Sequence, residues 1–138
     1  MKRYMALDIG DRTIGIAVSD LLGLTAQGVE TIRRRKMEED LQRLGELIHE
    51  YDVETLVSGY PKNMNGTEGD RCKIVTQFME EVKKAYPDVG VTFWDERLST
   101  VAANRSLLEA DLSRRKRKKV IDKMAAVFIL QGYLDSLH

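Results

Sequence analysis

The stretch Tyr4-Met5-Ala6-Leu7-Asp8-Ile9-Gly10-Asp11-Arg12-Thr13-Ile14-Gly15-Ile16-Ala17-Val18-Ser19 decides how this 138-residue chain folds. Residues 4–9 and 13–19 are rich in apolar and β-branched side chains and flank Gly10-Asp11-Arg12, the pattern of a β-hairpin. In the second run Ile14, Ile16 and Val18 alternate with Gly15, Ala17 and Ser19. One face of that strand is bulky and the other nearly bare, which predicts that something packs very close to the bare face. Residues 27–32, after the turn at Gly23, read as a third strand, so the chain opens with an antiparallel meander.

Helical periodicity then takes over. Met37, Leu41, Leu44, Leu47, Ile48 and Tyr51 recur at helical spacing, with Glu38, Glu39 and Asp40 in the first turn, where the helix dipole favours negative charge. Residues 55–58 make a short buried strand that gives way at Gly59-Tyr60-Pro61-Lys62-Asn63-Met64-Asn65-Gly66 to a surface loop. Thr67 and Asp70 have the spacing of a capping box, and Ile74, Val75, Phe78, Met79 and Val82 carry a helix that Pro87 prevents from continuing. Residues 91–94 form a fifth strand. Ser99 or Thr100 can cap a helix containing Ala103, Leu107 and Leu108; a basic loop follows, and a last helix covers about residues 120–137. The order βββαβαβαα, with helices connecting parallel strands, predicts an α/β fold: a mixed five-stranded sheet, its first three strands antiparallel, with helices on both faces. At 43% hydrophobic residues the chain can build one core, and residues 1–138 are expected to form one domain.

The formal charge is zero, 22 basic against 22 acidic residues, but the average hides two basic runs. Arg33, Arg34, Arg35 and Lys36 form one, and Arg114, Arg115, Lys116, Arg117, Lys118 and Lys119 the other. Outside them, 12 basic residues face 22 acidic ones, so an acidic body carries two cationic segments. The lone cysteine, Cys72, supports neither an internal disulfide nor a four-thiolate zinc site and fits a reducing compartment. Asp8 interrupts the first apolar stretch too early for a signal peptide, and no apolar run is long enough to span a bilayer, so the expectation is a cytoplasmic protein with no membrane partner.

With His49 and His138 the only histidines, acid-base or metal chemistry falls to carboxylates. Asp8 and Glu96 come at the ends of strands expected to run parallel, and ligands of open α/β sheets gather at the carboxyl ends of strands. Asp122 shares a helical face with Ala125, Ala126 and Ile129, and those alanines remove bulk that would keep the helix from the bare face of the first hairpin. Each acid also has a plain structural reading: Asp8 as a turn cap, Asp95 and Glu96 as a solvated pair, Asp122 as a partner of the helix dipole. Converging, the three would make a hard-oxygen site suited to magnesium or manganese and to phosphodiester hydrolysis. The basic run just before Asp122 favours a polyanionic substrate.

Asp8-Ile9-Gly10 with Arg12, Ile14, Gly15 and Ala17, then Gly59-Tyr60-Pro61-Lys62-Asn63-Met64-Asn65-Gly66-Thr67, then Asp95-Glu96-Arg97-Leu98-Ser99-Thr100, and finally Asp122-Lys123-Met124-Ala125-Ala126 are four ordered segments. Together they resemble the signature of the YqgF/RuvX family over essentially the whole chain. The resemblance implies a ribonuclease H-like fold and a metal-dependent nuclease with Mg2+ or Mn2+. It assigns catalytic and metal-binding roles to Asp8, Glu96 and Asp122. In many ribonuclease H-like nucleases an acid ends the fourth strand; here Ser58-Gly59-Tyr60-Pro61 has none, and the acid is displaced to Glu96. Arg12, Lys62, Asn63, Arg97 and the run Arg114 to Lys119 are the candidate nucleic-acid contacts, although Arg12 can equally pair with Asp11, and Arg97 with Asp95. Asn63, Asn65 and Thr67 can equally serve to structure their loop. The implied substrate is the 5′ end of precursor 16S rRNA or a pre-ribosomal particle. The alternatives are branched DNA, as in a Holliday junction resolvase, and a non-catalytic RNA-binding ribosome-assembly factor. The chain is expected to act as a monomer or homodimer.

Overall fold

The computed structural model describes residues 2–63, 65–98 and 114–138, with the side chains of the last helix described from Met124 onward. The elements are β1 (Arg3–Ile9), β2 (Thr13–Ser19), β3 (Ala26–Arg33), α1 (Met37–Glu50), β4 (Val53–Tyr60), α2 (Asp70–Ala85) and β5 (Gly90–Asp95), followed by a 3-10 turn (Glu96–Leu98) and α3 (Arg114–Ser136). The helix expected to start at Ser99 or Thr100 lies outside the described residues. Among the described residues no helix is long and apolar enough to cross a membrane.

The strands form one mixed sheet in the order β3-β2-β1-β4-β5. The β1–β2 and β2–β3 pairs are antiparallel, and β4 pairs parallel with both β1 and β5, as the hairpin and the helical crossovers predict. β1 is central, so both its faces must be covered. Its alternation divides the core: Met5, Leu7 and Ile9, with Ile14, Ile16 and Val18 of β2, pack under Leu44 and Leu47 of α1 and Phe78, Met79 and Val82 of α2. On the opposite face Ala6, Ala17 and Val57 meet Ala125, Ala126, Ile129, Leu130 and Leu134 of α3. The bare face read from the sequence is thus the seat of the last helix, where small side chains on both partners allow close approach. Gln131 pins the crossing: its Nε2 donates to the Leu24 carbonyl at 2.9 Å and its Oε1 accepts from the Ala26 amide at 3.0 Å.

Several local expectations change. β4 extends through Gly59 and Tyr60, which pair with Trp94 and Asp95, so the loop begins only at Pro61. The capping box does not form: α2 begins at Asp70 behind Gly69 without a side-chain cap. Thr67 instead donates to Asn65 Oδ1 at 2.6 Å and accepts from Asn63 Nδ2 at 3.0 Å. The basic run of residues 114–119, expected to be a loop, lies within α3. Arginine and lysine are good helix formers, and a helix anchored by packing from Ala125 onward propagates at little cost.

The other basic run contains a structural clasp. Arg34 Nη1 donates to the Gly10 carbonyl at 2.8 Å, Nε stands 3.5 Å from Asp40 Oδ2, and the guanidinium lies 5.0 Å from the centre of the Phe78 ring. The Arg34 amide bonds the Arg12 carbonyl at 2.8 Å, and the Arg35 amide bonds Asp40 Oδ1 at 3.0 Å. One residue therefore ties the β1–β2 turn to both α1 and α2, and compensates a carboxylate that is only 2% exposed. Arg34→Ala is expected to lower stability by about 3 kcal/mol by leaving Asp40 buried without its counter-charge. Arg33→Ala and Arg35→Ala should each change it by less than about 0.5 kcal/mol; urea unfolding of the three variants checks the ordering.

Candidate nuclease site at the carboxyl edge

Asp8 is the penultimate residue of the central strand and is 5% exposed. Its partner on β2 is Gly15, and the register Leu7–Ser58 makes Gly59 its neighbour on β4. Residues side by side on adjacent strands point to the same face. Both flanks of the Asp8 carboxylate are therefore glycines, and no neighbouring strand side chain crowds it.

Glu96 reaches this space from β5. β5 ends at Asp95, and the 3-10 turn that follows buries Glu96 to 8% exposure. A Cβ placed on Gly59 would stand 3.0 Å from Glu96 Oε2 and 2.5 Å from Ile129 Cδ1. The missing side chain of Gly59 is what lets the Glu96 carboxylate and α3 share the ground beside Asp8. β4 lies between β1 and β5, and Glu96 reaches over its Gly59, which neighbours Asp8 at the ordinary strand spacing of about 4.8 Å, so the two acids approach one another at one edge.

Asp95 and Glu96, consecutive in sequence, fall on opposite sides of the sheet. Asp95 stands with Tyr60 and Phe93 on the α2 side, whereas Glu96 stands with Gly59 and Ile129 on the α3 side. Arg97 grips Asp95 with Nη2 at 2.7 Å and Nε at 3.1 Å. These hydrogen bonds hold the Asp95 carboxyl below its ordinary range. The clasp is therefore fully formed above the ordinary carboxylate pKa and is lost as pH falls through the depressed value. Of the two expectations for Arg97, the structure shows the pairing with Asp95, and its guanidinium also lies close to Gly66.

Other candidates divide similarly. Asn63, Asn65 and Thr67 bond one another, and Gly66, at φ 88°, closes the loop with its amide on the Asn63 carbonyl at 2.8 Å. Lys62 leaves this loop half-buried, its Nζ 6.0 Å from the centre of the Tyr60 ring. Arg12 is exposed on the hairpin turn. Asp122 lies in α3 two turns before Ile129, but its side chain, like those of Arg114, Arg115, Lys116, Arg117, Lys118 and Lys119, lies outside the described residues. A group the sequence reading missed is Arg71, in the first turn of α2, whose Nη2 is 3.9 Å from Asp8 Oδ1. Its signal was topological: the helix after β4 must start at the edge where Asp8 ends.

Gly59→Ala is expected to cost about 1–3 kcal/mol through overpacking. Adding Ile129→Val removes Cδ1, the closest atom, and should recover part of that loss. Equilibrium unfolding of the single and double variants measures the coupling.

Residues 2–136 match the family described as RuvX: Holliday junction resolvase. A Clostridioides difficile protein named "Putative pre-16S rRNA nuclease" is 63% identical over 133 residues, covering 96% of this chain and 94% of its own length. A Clostridium botulinum protein of the same name is 57% identical over 135 residues, 98% of each chain. Among solved structures, Thermus thermophilus RuvC in complex with a Holliday junction substrate aligns with a TM-score of 0.63 at 13% identity, covering 99% of this chain and 96% of that one. The fowlpox virus Holliday junction resolvase aligns at 0.55 and 16%, covering 99% of each. The ribonuclease H-like architecture is therefore shared with junction resolvases, and at this identity over this length the chain belongs to the RuvX family of nucleases.

Proposed function

We propose that this chain is a divalent-metal-dependent nuclease that processes the 5′ end of precursor 16S rRNA in the cytoplasm. The observation that carries the chemistry is the pair Asp8 and Glu96: two nearly buried carboxylates at one sheet edge, flanked by glycines. Support for the substrate comes from the names of the relatives at 57% and 63% identity.

The donor set fits a hard cation. Carboxylate oxygens without imidazole or thiolate suit magnesium or manganese, and the missing side chain of Gly59 lets the Glu96 carboxylate approach the flank of Asp8. Asp8 and Glu96, joined by Asp122 from α3, are the residues that would hold it. When bound there, such an ion would supply an activated water and would offset charge on the phosphate.

The remaining residues bring the polyanion to that edge and orient it. Arg71 places positive charge beside Asp8, where a phosphate must enter, and a guanidinium can bind its oxygens in a bidentate fashion. Arg12 on the hairpin turn and Lys62 and Asn63 on the loop flank the entry. Arg97 acts mainly through Asp95, steadying the turn that carries Glu96. α3 continues for 15 residues N-terminal to Ile129, roughly 22 Å of helix. Its other end lies at the opposite end of the strands, where His138, just past the helix, has its Nε2 3.4 Å from the Gly23 carbonyl. The basic run therefore belongs to the end of α3 on the side of the acids, suited to attract a phosphate backbone without reading sequence.

A short RNA carrying the precursor 5′ end should be cleaved with manganese or magnesium and not with chelator. Asp8→Asn, Glu96→Gln and Asp122→Asn should each slow cleavage by about 100-fold or more. Cleavage in chelator, or an Asp8→Asn variant as fast as the parent, contradicts this reading.

The family description favours one alternative substrate, branched DNA. A four-way junction has two-fold symmetry and calls for a dimer with two matched sites. End trimming can be done by a monomer and requires no junction, so a strict monomer that leaves a synthetic junction intact counts against the resolvase; a dimer that cuts the junction symmetrically would establish it instead.

A further inference from the structure

On the sheet face opposite the paired acids, a groove of about 400 Å³ runs between β5 and α2. Its walls include Tyr60 and Phe93, whose rings meet edge to face at 5.5 Å. Phe93 is 40% exposed on an edge strand, a large aromatic surface left in water. Each ring carries an ammonium: Lys62 Nζ lies 6.0 Å from the Tyr60 centroid and Lys83 Nζ 5.6 Å from that of Phe93. Glu68, Glu80 and Asp95 also line the groove, Asp95 being held by Arg97. Burial, and then the hydrogen bond with Glu68, raise the Tyr60 phenol above its ordinary pKa.

We infer that this groove is a subsite for one unpaired base of a single-stranded nucleic acid, seated against Phe93 and Tyr60, with its flanking phosphates on Lys62 and Lys83. Three features select this occupant. An exposed aromatic beside lysines is the arrangement by which single strands are held, because every base presents a π-face and every linkage a negative charge. The carboxylates of the groove disfavour a phosphate at its centre but can accept hydrogen bonds from the exocyclic amino groups of a base. The groove also opens at Asp95, one residue from Glu96, so a strand crossing the carboxyl edge passes from the acids on one face to the aromatics on the other. A base held within a duplex cannot enter, since its faces are covered by its stacked neighbours.

The inference rests on the nucleic-acid substrate proposed above, and its test is kept separate from cleavage. Binding of a fluorescent single-stranded RNA of about ten nucleotides is measured in chelator by anisotropy, alongside a duplex of the same sequence. Phe93→Ala should weaken single-strand binding about 5- to 100-fold, Phe93→Leu nearly as much, and Phe93→Trp little. Lys83→Ala should weaken it several-fold, and duplex binding should be the same for all four variants. Cooperative unfolding of each variant controls for misfolding, and Phe93→Leu keeps most of the apolar area. The subsite is refuted if Phe93→Ala binds single-stranded RNA like the parent, or if single-strand and duplex binding fall equally. Cleavage is then assayed with metal on the same variants. A nuclease with no aromatic dependence removes the subsite alone, and aromatic-dependent binding without cleavage removes the nuclease alone.

Discussion

Small residues on one face of the sheet let α3 lie so close that Ile129 and the Glu96 carboxylate both occupy the ground where a side chain on Gly59 would stand. Ala6 and Ala17 opposite Ala125 and Ala126 set the distance; a larger residue at any of them would lift the helix. Lifting it would move Ile129 away from Gly59 and change the packing around Glu96. The seam thus couples an ordinary packing requirement, dense contact between helix and sheet, to the position of a carboxylate.

Across the sheet the bulky face does the complementary task. Its isoleucines, leucines and Phe78 build the larger cluster that holds α1 and α2, and Arg34 fastens the hairpin turn after Asp8 to both helices. Asp8 is held on a strand covered from both sides, with its carboxylate at the rim rather than deep in the core. The division between faces extends to the acids at the edge. Glu96 lies on the α3 side with Asp8, and Asp95 lies on the α2 side with an aromatic groove.

Much of this was legible in the residues. Alternation in residues 13–19 separated a bulky face from a bare one, and the structure places the two apolar clusters accordingly. The hairpin and the parallel crossovers follow from the same patterns, whereas the strand order β3-β2-β1-β4-β5 is given by the structure. Boundaries were less legible: Gly59 and Tyr60 look like loop residues by composition, yet pairing with Trp94 and Asp95 keeps them in β4. Thr67 has the spacing of a helix cap but finds Asn63 and Asn65 nearer, and an intraloop hydrogen bond needs no helix to form. The basic run reads as a loop because like charges repel, and continuation of a packed helix outweighs that local preference.

What the sequence by itself determined is the order and type of the described elements, the bare face awaiting a helix, and the scarcity of groups other than carboxylates able to hold a metal. These follow from local periodicity and from an inventory with two histidines and one cysteine. Only the tertiary structure decided that Arg34, among four consecutive basic residues, is the one clasped inside, that Arg71 comes to stand beside Asp8, and that Asp95 and Glu96 part to opposite faces. The physical reason is that a residue's type is written in the chain, whereas its neighbours across strands and helices depend on register and on how closely the layers pack. A glycine at position 59 is unremarkable until β4 and α3 are brought together, and then its missing Cβ makes room for the Glu96 carboxylate.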